Sequence, residues 1–234
     1  MNLYLSSYRT GKQEALLVEM VGEGGVITII PNAKDFIDNK KIVEGTGKTA
    51  YETSLAKDID KLKSLGFRVE ILDLKEYFGK EEDLRERMSS VKSVYVPGGN
   101  AFLLREALEK SGFGKVLDSR KSDPEFVYAG YSAGVCVLGP SLKGLELVDP
   151  IDIHVDGYDD KIIWEGLGII DFSIAPHFDS PGHPETHLIP ALIEYFKKNN
   201  IEYMALRDGE VLTIDNSGKE TFYSLEGIKT GPEK

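Results

Sequence analysis

The sequence predicts an α/β fold, a three-layer sandwich with helices on both faces of a mostly parallel sheet. Between Leu3 and Tyr131, short apolar runs alternate with longer amphipathic stretches, the pattern of parallel strands joined by crossover helices. Two turns rich in small residues, Pro97-Gly98-Gly99-Asn100 and Gly130-Tyr131-Ser132-Ala133-Gly134, come directly at the ends of apolar runs. Ligands of such sheets sit at those carboxyl ends. Glycine supplies 24 of the 234 residues, as a chain with many short turns requires.

The elements follow in order. Leu3-Tyr4-Leu5 opens as a strand, and Val26 to Ile30 is a second, closed by Pro31. Ala50 to Leu65 has helical spacing through Leu55, Ile59, Leu62 and Leu65, and stops at Gly66. Phe67 to Leu72 reads as a strand, Glu81 to Met88 as a charged helix, and Val91 to Val96 as a strand. Ala101 to Glu109 is a helix with Phe102, Leu104 and Leu108 available for packing, and a short helix around Val116 precedes the strand ending at Tyr131. Ala133 to Leu138 continues as an apolar helix. Gly139 to Gly168 has little periodicity and reads as an irregular or β-rich excursion. Phe172 to Ala175 resumes a strand and leads into Pro176-His177-Phe178, and Thr186 to Lys198 is a helix. Glu202 to Leu206 and Val211 to Ile214 flank Arg207-Asp208-Gly209-Glu210, a predicted C-terminal β-hairpin. The tail from Thr230 is polar and expected to be loose. Length and the lack of repeats or linkers predict a single domain over 1–234.

Composition narrows the function. Thirty-nine acidic residues against 28 basic ones give a net charge of −11, which repels phosphate backbones and argues against a nucleic-acid partner. No apolar run reaches membrane-spanning length, and the start lacks the basic region and cleavage site of a signal peptide. The single cysteine, Cys136, cannot form an intramolecular disulfide and suits a reducing cytoplasm, the expected location.

The chemistry centres on Ser132. An apolar strand running into G-x-S-x-G and then a helix is the layout of a nucleophile elbow, which exposes the hydroxyl at a strand's carboxyl end. The pattern alone is common by chance, and the alternative is a tight turn with a helix-capping serine. A serine nucleophile needs a base. Of His154, His177, His183 and His187, only His177 directly follows a predicted strand on the side where Ser132 should emerge; His183 and His187, four apart, lack an H-E-x-x-H pattern. The acid that would orient the base is Asp208 at a strand end, although Asp-Gly is equally a turn signal; Asp149, Asp156 and Asp179 stay open. An oxyanion hole needs preset backbone N–H groups, which Ala133 and the Gly98-Gly99 turn could supply, with Asn100 as a helix N-cap. Gly98, Asn100 and Tyr131 are the candidate substrate contacts. A phosphate loop is not supported: Gly47-Lys48-Thr49 matches its tail, but Ile42 stands at the first glycine. Cys136, four residues past Ser132, reads as a core cysteine.

Val96 to Leu104, Ala129 to Gly134 and Ile174 to Phe178 together resemble the peptidase E (aspartyl dipeptidase) family of serine peptidases, to which cyanophycinase is related. Leu3 to Ser7 and Ala205 to Gly209 are similar as well, so the resemblance covers most of the chain in order. It implies a fold like the class I glutamine amidotransferases (flavodoxin-like), with serine in place of their elbow cysteine. It implies Ser132 as nucleophile, His177 as base, and oxyanion donors from Gly99 and Ala133. For the third member it offers Asp208, or an aspartate between the serine and the histidine. Tyr131 stands where the dipeptidase often has Trp, and Ala101 where it often has Thr; both departures bear on the preference for amino-terminal aspartate more than on the chemistry.

The expected function is therefore a serine peptidase that cleaves small peptides, dipeptides with an amino-terminal aspartate among them, through a Ser-His-Asp triad and an acyl-enzyme. No metal or other cofactor, no membrane and no nucleic acid are expected, and a homodimer is compatible with the sequence. The rivals are an α/β-hydrolase esterase, whose order Ser132, Asp149 or Asp156, His177 fits but whose upstream His-Gly-Gly motif is missing, and a non-catalytic binding protein of the same fold.

Overall fold

A computed structural model describes residues 1–159 and 161–229. The chain alternates strand and helix through β1 (Asn2–Ser6), α1 (Glu14–Val21), β2 (Val26–Ile29), α2 (Ala50–Ser64), β3 (Arg68–Ile71), α3 (Glu81–Met88) and β4 (Ser93–Val96). It continues through α4 (Ala101–Ser111), α5 (Phe113–Arg120), β5 (Val127–Tyr131) and α6 (Ala133–Cys136). After a long excursion come β6 (Ser173–Ala175), α7 (Ile189–Lys198), β7 (Tyr203–Ala205), β8 (Val211–Ile214), β9 (Glu220–Ser224) and β10 (Gly227–Lys229).

The main sheet has the order β10-β9-β8-β1-β5-β4-β2-β3. Strands β1 to β5 are mutually parallel, and β8, β9 and β10 extend the sheet antiparallel beyond β1. Period-2 alternation sorts the central strands between two apolar layers. Leu3, Leu5, Val94, Val96 and Tyr128 join the core beneath α3 to α7. Tyr4, Tyr95, Ala129 and Tyr131 face the opposite layer, where Leu17 of α1 and Leu55 and Leu62 of α2 cover them. Burying β4 and β5 on both faces explains why they read as unbroken apolar runs rather than alternating ones. The order in which strands are added reverses between the parallel neighbours β2 and β4, and this switch point opens a crevice at their carboxyl ends.

The expected sandwich and its parallel sheet are present, with four differences. The turn at 207–210 exists, closed by the Glu210 N–H on the Arg207 carbonyl at 2.9 Å, but it does not make a hairpin. Its arms belong to different sheets: β7 pairs in parallel with β6, whereas β8 runs antiparallel to β1. The C-terminal hairpin lies further on, where β8 and β9 join through Asp215–Lys219 and Gly218 adopts φ 84°. Helix α1 was not anticipated; its polar entry, Gln13, makes no side-chain cap that would announce it. Helix α6 is one turn long rather than reaching Leu138, and α7 starts at Ile189, with Pro190 in its first turn, rather than at Thr186. The excursion over 139–168 is irregular among its described residues, with one 3-10 turn at Leu145–Leu147 and an isolated Ser141–Glu165 bridge. The tail from Thr230 lies outside the described residues.

Candidate active site

Strand β5 delivers Ser132 at its carboxyl end with φ 50° and ψ −120°, a conformation that costs a non-glycine residue on the order of 1–3 kcal/mol. The surroundings hold it there. A Cβ on Gly134 would stand 2.0 Å from the Val96 carbonyl oxygen, and one on Gly130 2.9 Å from the same atom. Glycine at both flanks therefore lets β4 press against the turn. The Tyr128 hydroxyl donates to the Gly134 carbonyl at 2.6 Å and ties strand to helix. The Ser132 carbonyl accepts from Val135 and Cys136, which starts α6, but its side chain makes no cap hydrogen bond. The geometry is that of an elbow, not of a capping serine.

Short strand β6 leads through Pro176 into a turn that carries His177, which is buried and also has positive φ, 60°. Its Nδ1 lies 2.8 Å from Oδ1 of Asp208. The same carboxylate oxygen accepts from the Ser7 hydroxyl at 2.8 Å, and Ser7 Oγ in turn accepts from the His177 backbone N–H at 2.8 Å. The Ser180 hydroxyl accepts from the Asp208 N–H at 2.8 Å. Asp208 is thus fixed by Ser7, the residue after β1, on one side and by the loop after β6 on the other. Burial alone would raise its carboxyl pKa; hydrogen bonds from His177 and Ser7 outweigh that and hold it below the ordinary carboxylate value. An ionised Asp208 is an acceptor for a proton on Nδ1, which leaves Nε2 as the ring nitrogen facing away from the carboxylate.

Ser132 and His177 line one cleft of about 350 Å³, at the upper ends of β2, β4 and β5. Gly98 and Gly99 form its floor. A Cβ on Gly98 would stand 2.8 Å from the Ser132 Cβ, and one on Gly99 2.1 Å from the Ala33 carbonyl oxygen, where φ is 151°. Only glycine allows so close an approach. Ala133, as the first residue of α6, has an N–H with no intrahelical acceptor. The Asn100 side chain caps α4 through Phe102 and Leu103, both at 2.9 Å, while its amide donates to the Pro150 carbonyl. Tyr131 packs its ring beside Gly98 and donates to Asp58 at 3.1 Å, which pairs with Lys34 at 3.2 Å.

The remaining candidates are engaged differently. Asp149 reaches the cleft but accepts the Ala101 N–H at 2.7 Å, and burial raises its pKa to about 7. Asp156 and Asp179 are exposed. His187 is exposed on the Pro184 carbonyl, and Cys136 is buried, with its thiol pushed well up by burial. No sequence pattern marks Ser180 or Glu185 as parts of the site, and His183 is legible there only as an alternative base or one of a pair with His187. Ser7 carried a usable signal, a polar residue immediately after a buried strand. His183 stacks on His177 with ring centroids 3.5 Å apart, and burial and His177 together lower its pKa.

A mostly parallel sheet covered on both faces, with an elbow serine and a carboxylate-held histidine lining one cleft, is an arrangement that suits a serine hydrolase. The profile of peptidase family S51 matches residues 13–222, and the chain belongs to that family of serine-type peptidases. It is 29% identical over 203 residues to the uncharacterized peptidase Lmo0363 of Listeria monocytogenes, covering 82% of this chain and 86% of that one. It is 29% identical to Peptidase E of Streptomyces coelicolor over 136 residues, 55% of this chain and 51% of the relative. The crystal structure of a candidate peptidase E protein from Listeria monocytogenes EGD-e superposes with a TM-score of 0.65 at 22% identity, covering 100% and 98% of the two chains. That likeness concerns the fold.

Proposed function

We propose that this serine peptidase hydrolyses small peptides, dipeptides with an amino-terminal aspartate among them, with Ser132 as nucleophile, His177 as base and Asp208 as the acid that orients it. The observation that carries the reading is the 2.8 Å contact from Asp208 to His177 Nδ1, in a cleft that Ser132 also lines. His177 Nε2 takes the Ser132 hydroxyl proton as Oγ attacks the scissile carbonyl carbon. The oxyanion that forms rests on the N–H groups of Gly99 and Ala133, where losing one donor costs about 3 kcal/mol. The imidazolium, stabilised by Asp208, gives its proton to the departing amine. Water, deprotonated by the same nitrogen, then releases the acyl group and restores Ser132.

The cleft supports a small, highly charged substrate. Its volume is at the low end for ligand sites. Arg9, Lys57 and Glu185 line it beside the Lys34–Asp58 ion pair, a mixture of charge that suits a ligand carrying a free ammonium and an acidic side chain. A panel of Asp-Leu, Ala-Leu and Leu-Leu tests the substrate class. Cleavage of Asp-Leu above the other two, lost in folded Ser132→Ala, is the expected result. Equal cleavage of all three would remove the aspartate preference, and cleavage of p-nitrophenyl esters alone would point to an esterase.

A further inference from the structure

His177, His183 and Glu185 each bring a donor atom, two ring nitrogens and a carboxylate oxygen, within 4.8 Å of one another. Two imidazoles and a carboxylate form a donor set that zinc and its first-row neighbours accept readily. The arrangement behind His177 favours a cation further. With Nδ1 held by Asp208 at 2.8 Å, Nε2 faces away from Asp208, and Glu185 Oε2 lies 3.9 Å from that nitrogen. A carboxylate behind a histidine is the outer-shell partner that orients metal-binding imidazoles and raises their basicity. The two rings lie parallel, 4° apart in plane, so they do not yet aim at one point. His183 must swing to do so. It is half-buried, its Nδ1 accepts only a long 3.3 Å bond from the Glu185 N–H, and the adjoining Gly182 has open space around it.

We propose that His177, His183 and Glu185 form a reversible site for a zinc-class divalent cation, and that filling it silences the enzyme by occupying the lone pair His177 needs for the Ser132 proton. The silencing rests on the reading of His177 as base, whereas the binding does not. Calorimetry with zinc chloride on metal-stripped Ser132→Ala protein is expected to show one equivalent bound. Stripped wild type is expected to cleave its peptide, to lose activity as zinc fills the site, and to recover with EDTA. His183→Ala and Glu185→Gln are each expected to weaken binding by at least the roughly 10-fold that losing an outer-shell partner costs, and to shift the inhibition curve equally. Absence of a bound equivalent, or unchanged affinity in both variants, would overturn the site. A stripped enzyme that needs zinc for activity would overturn the silencing role. An incorrect substrate assignment would leave the calorimetry intact, and an incorrect metal assignment would leave peptide cleavage intact.

Discussion

Ser132 occupies a backbone conformation that its own side chain disfavours, and the neighbouring packing maintains it. Strain of this kind is kept where a reactive group must be presented, at some expense of stability. Replacing Ser132 with glycine should therefore stabilise the fold by about 1 kcal/mol, which raises Tm by roughly 2–4 °C in a chain of this size. Ser132→Ala, which keeps a Cβ at φ 50°, should show no such gain. Paired thermal melts read the difference, and equal Tm for the two variants would mean that the turn is unstrained. The triad candidates Ser132 and His177 were legible because each directly follows an apolar strand. Asp208 was legible only as one of four acids, since Asp-Gly serves a turn as readily as a site. The structure shows it in a turn and against His177 at once. Glu185 was not legible, and His183 was legible only as one of four histidines, because a loop brings both over His177 without any periodicity to mark it.

At the level of elements, the elbow depends on how closely β4 approaches α6. Gly134 has the Val96 carbonyl oxygen where a Cβ would stand, 2.0 Å away, and neither backbone can yield without shifting a central strand. Gly134→Ala should cost about 1–3 kcal/mol and lower activity with it. Urea unfolding at constant m-value checks this, and an unchanged midpoint would contradict the close packing. Buried strands β4 and β5 could be read from sequence because covering both faces leaves an apolar run without alternation. The hairpin expected around Asp208 failed for a tertiary reason. Turn chemistry fixes a local reversal, but Ser173–Ala175 claims one arm and Asn2–Ser6 the other. Partner choice of this sort is set by packing far along the chain, not by the turn itself.

For the whole molecule, Asp149 links the cleft to folding. Its carboxyl, raised to about 7 in the folded state by burial, titrates near 3.8 when exposed. Between those values the folded protein holds a proton that the unfolded chain has released. The contribution of Asp149 to stability is thus fully present below about pH 4, falls as pH rises towards 7, and is level above it. The change is on the order of 4 kcal/mol. Asp208, with its pKa lowered, acts in the opposite sense at more acidic pH, so the effect is read as the difference between wild type and Asp149→Asn. Denaturant melts from pH 4 to 8 should give the wild type the steeper decline, and parallel curves would show that Asp149 is ionised in the fold.

The most direct test of the central claim is the rate at which a fluorophosphonate labels Ser132, followed by mass-spectrometric peptide mapping in wild type, His177→Ala and Asp208→Asn. Such a probe reports serine activation without presuming a substrate. A single adduct on Ser132 is expected, abolished in His177→Ala and slowed about 10³–10⁴-fold in Asp208→Asn. An adduct on another residue, or undiminished labelling in folded His177→Ala, would contradict it.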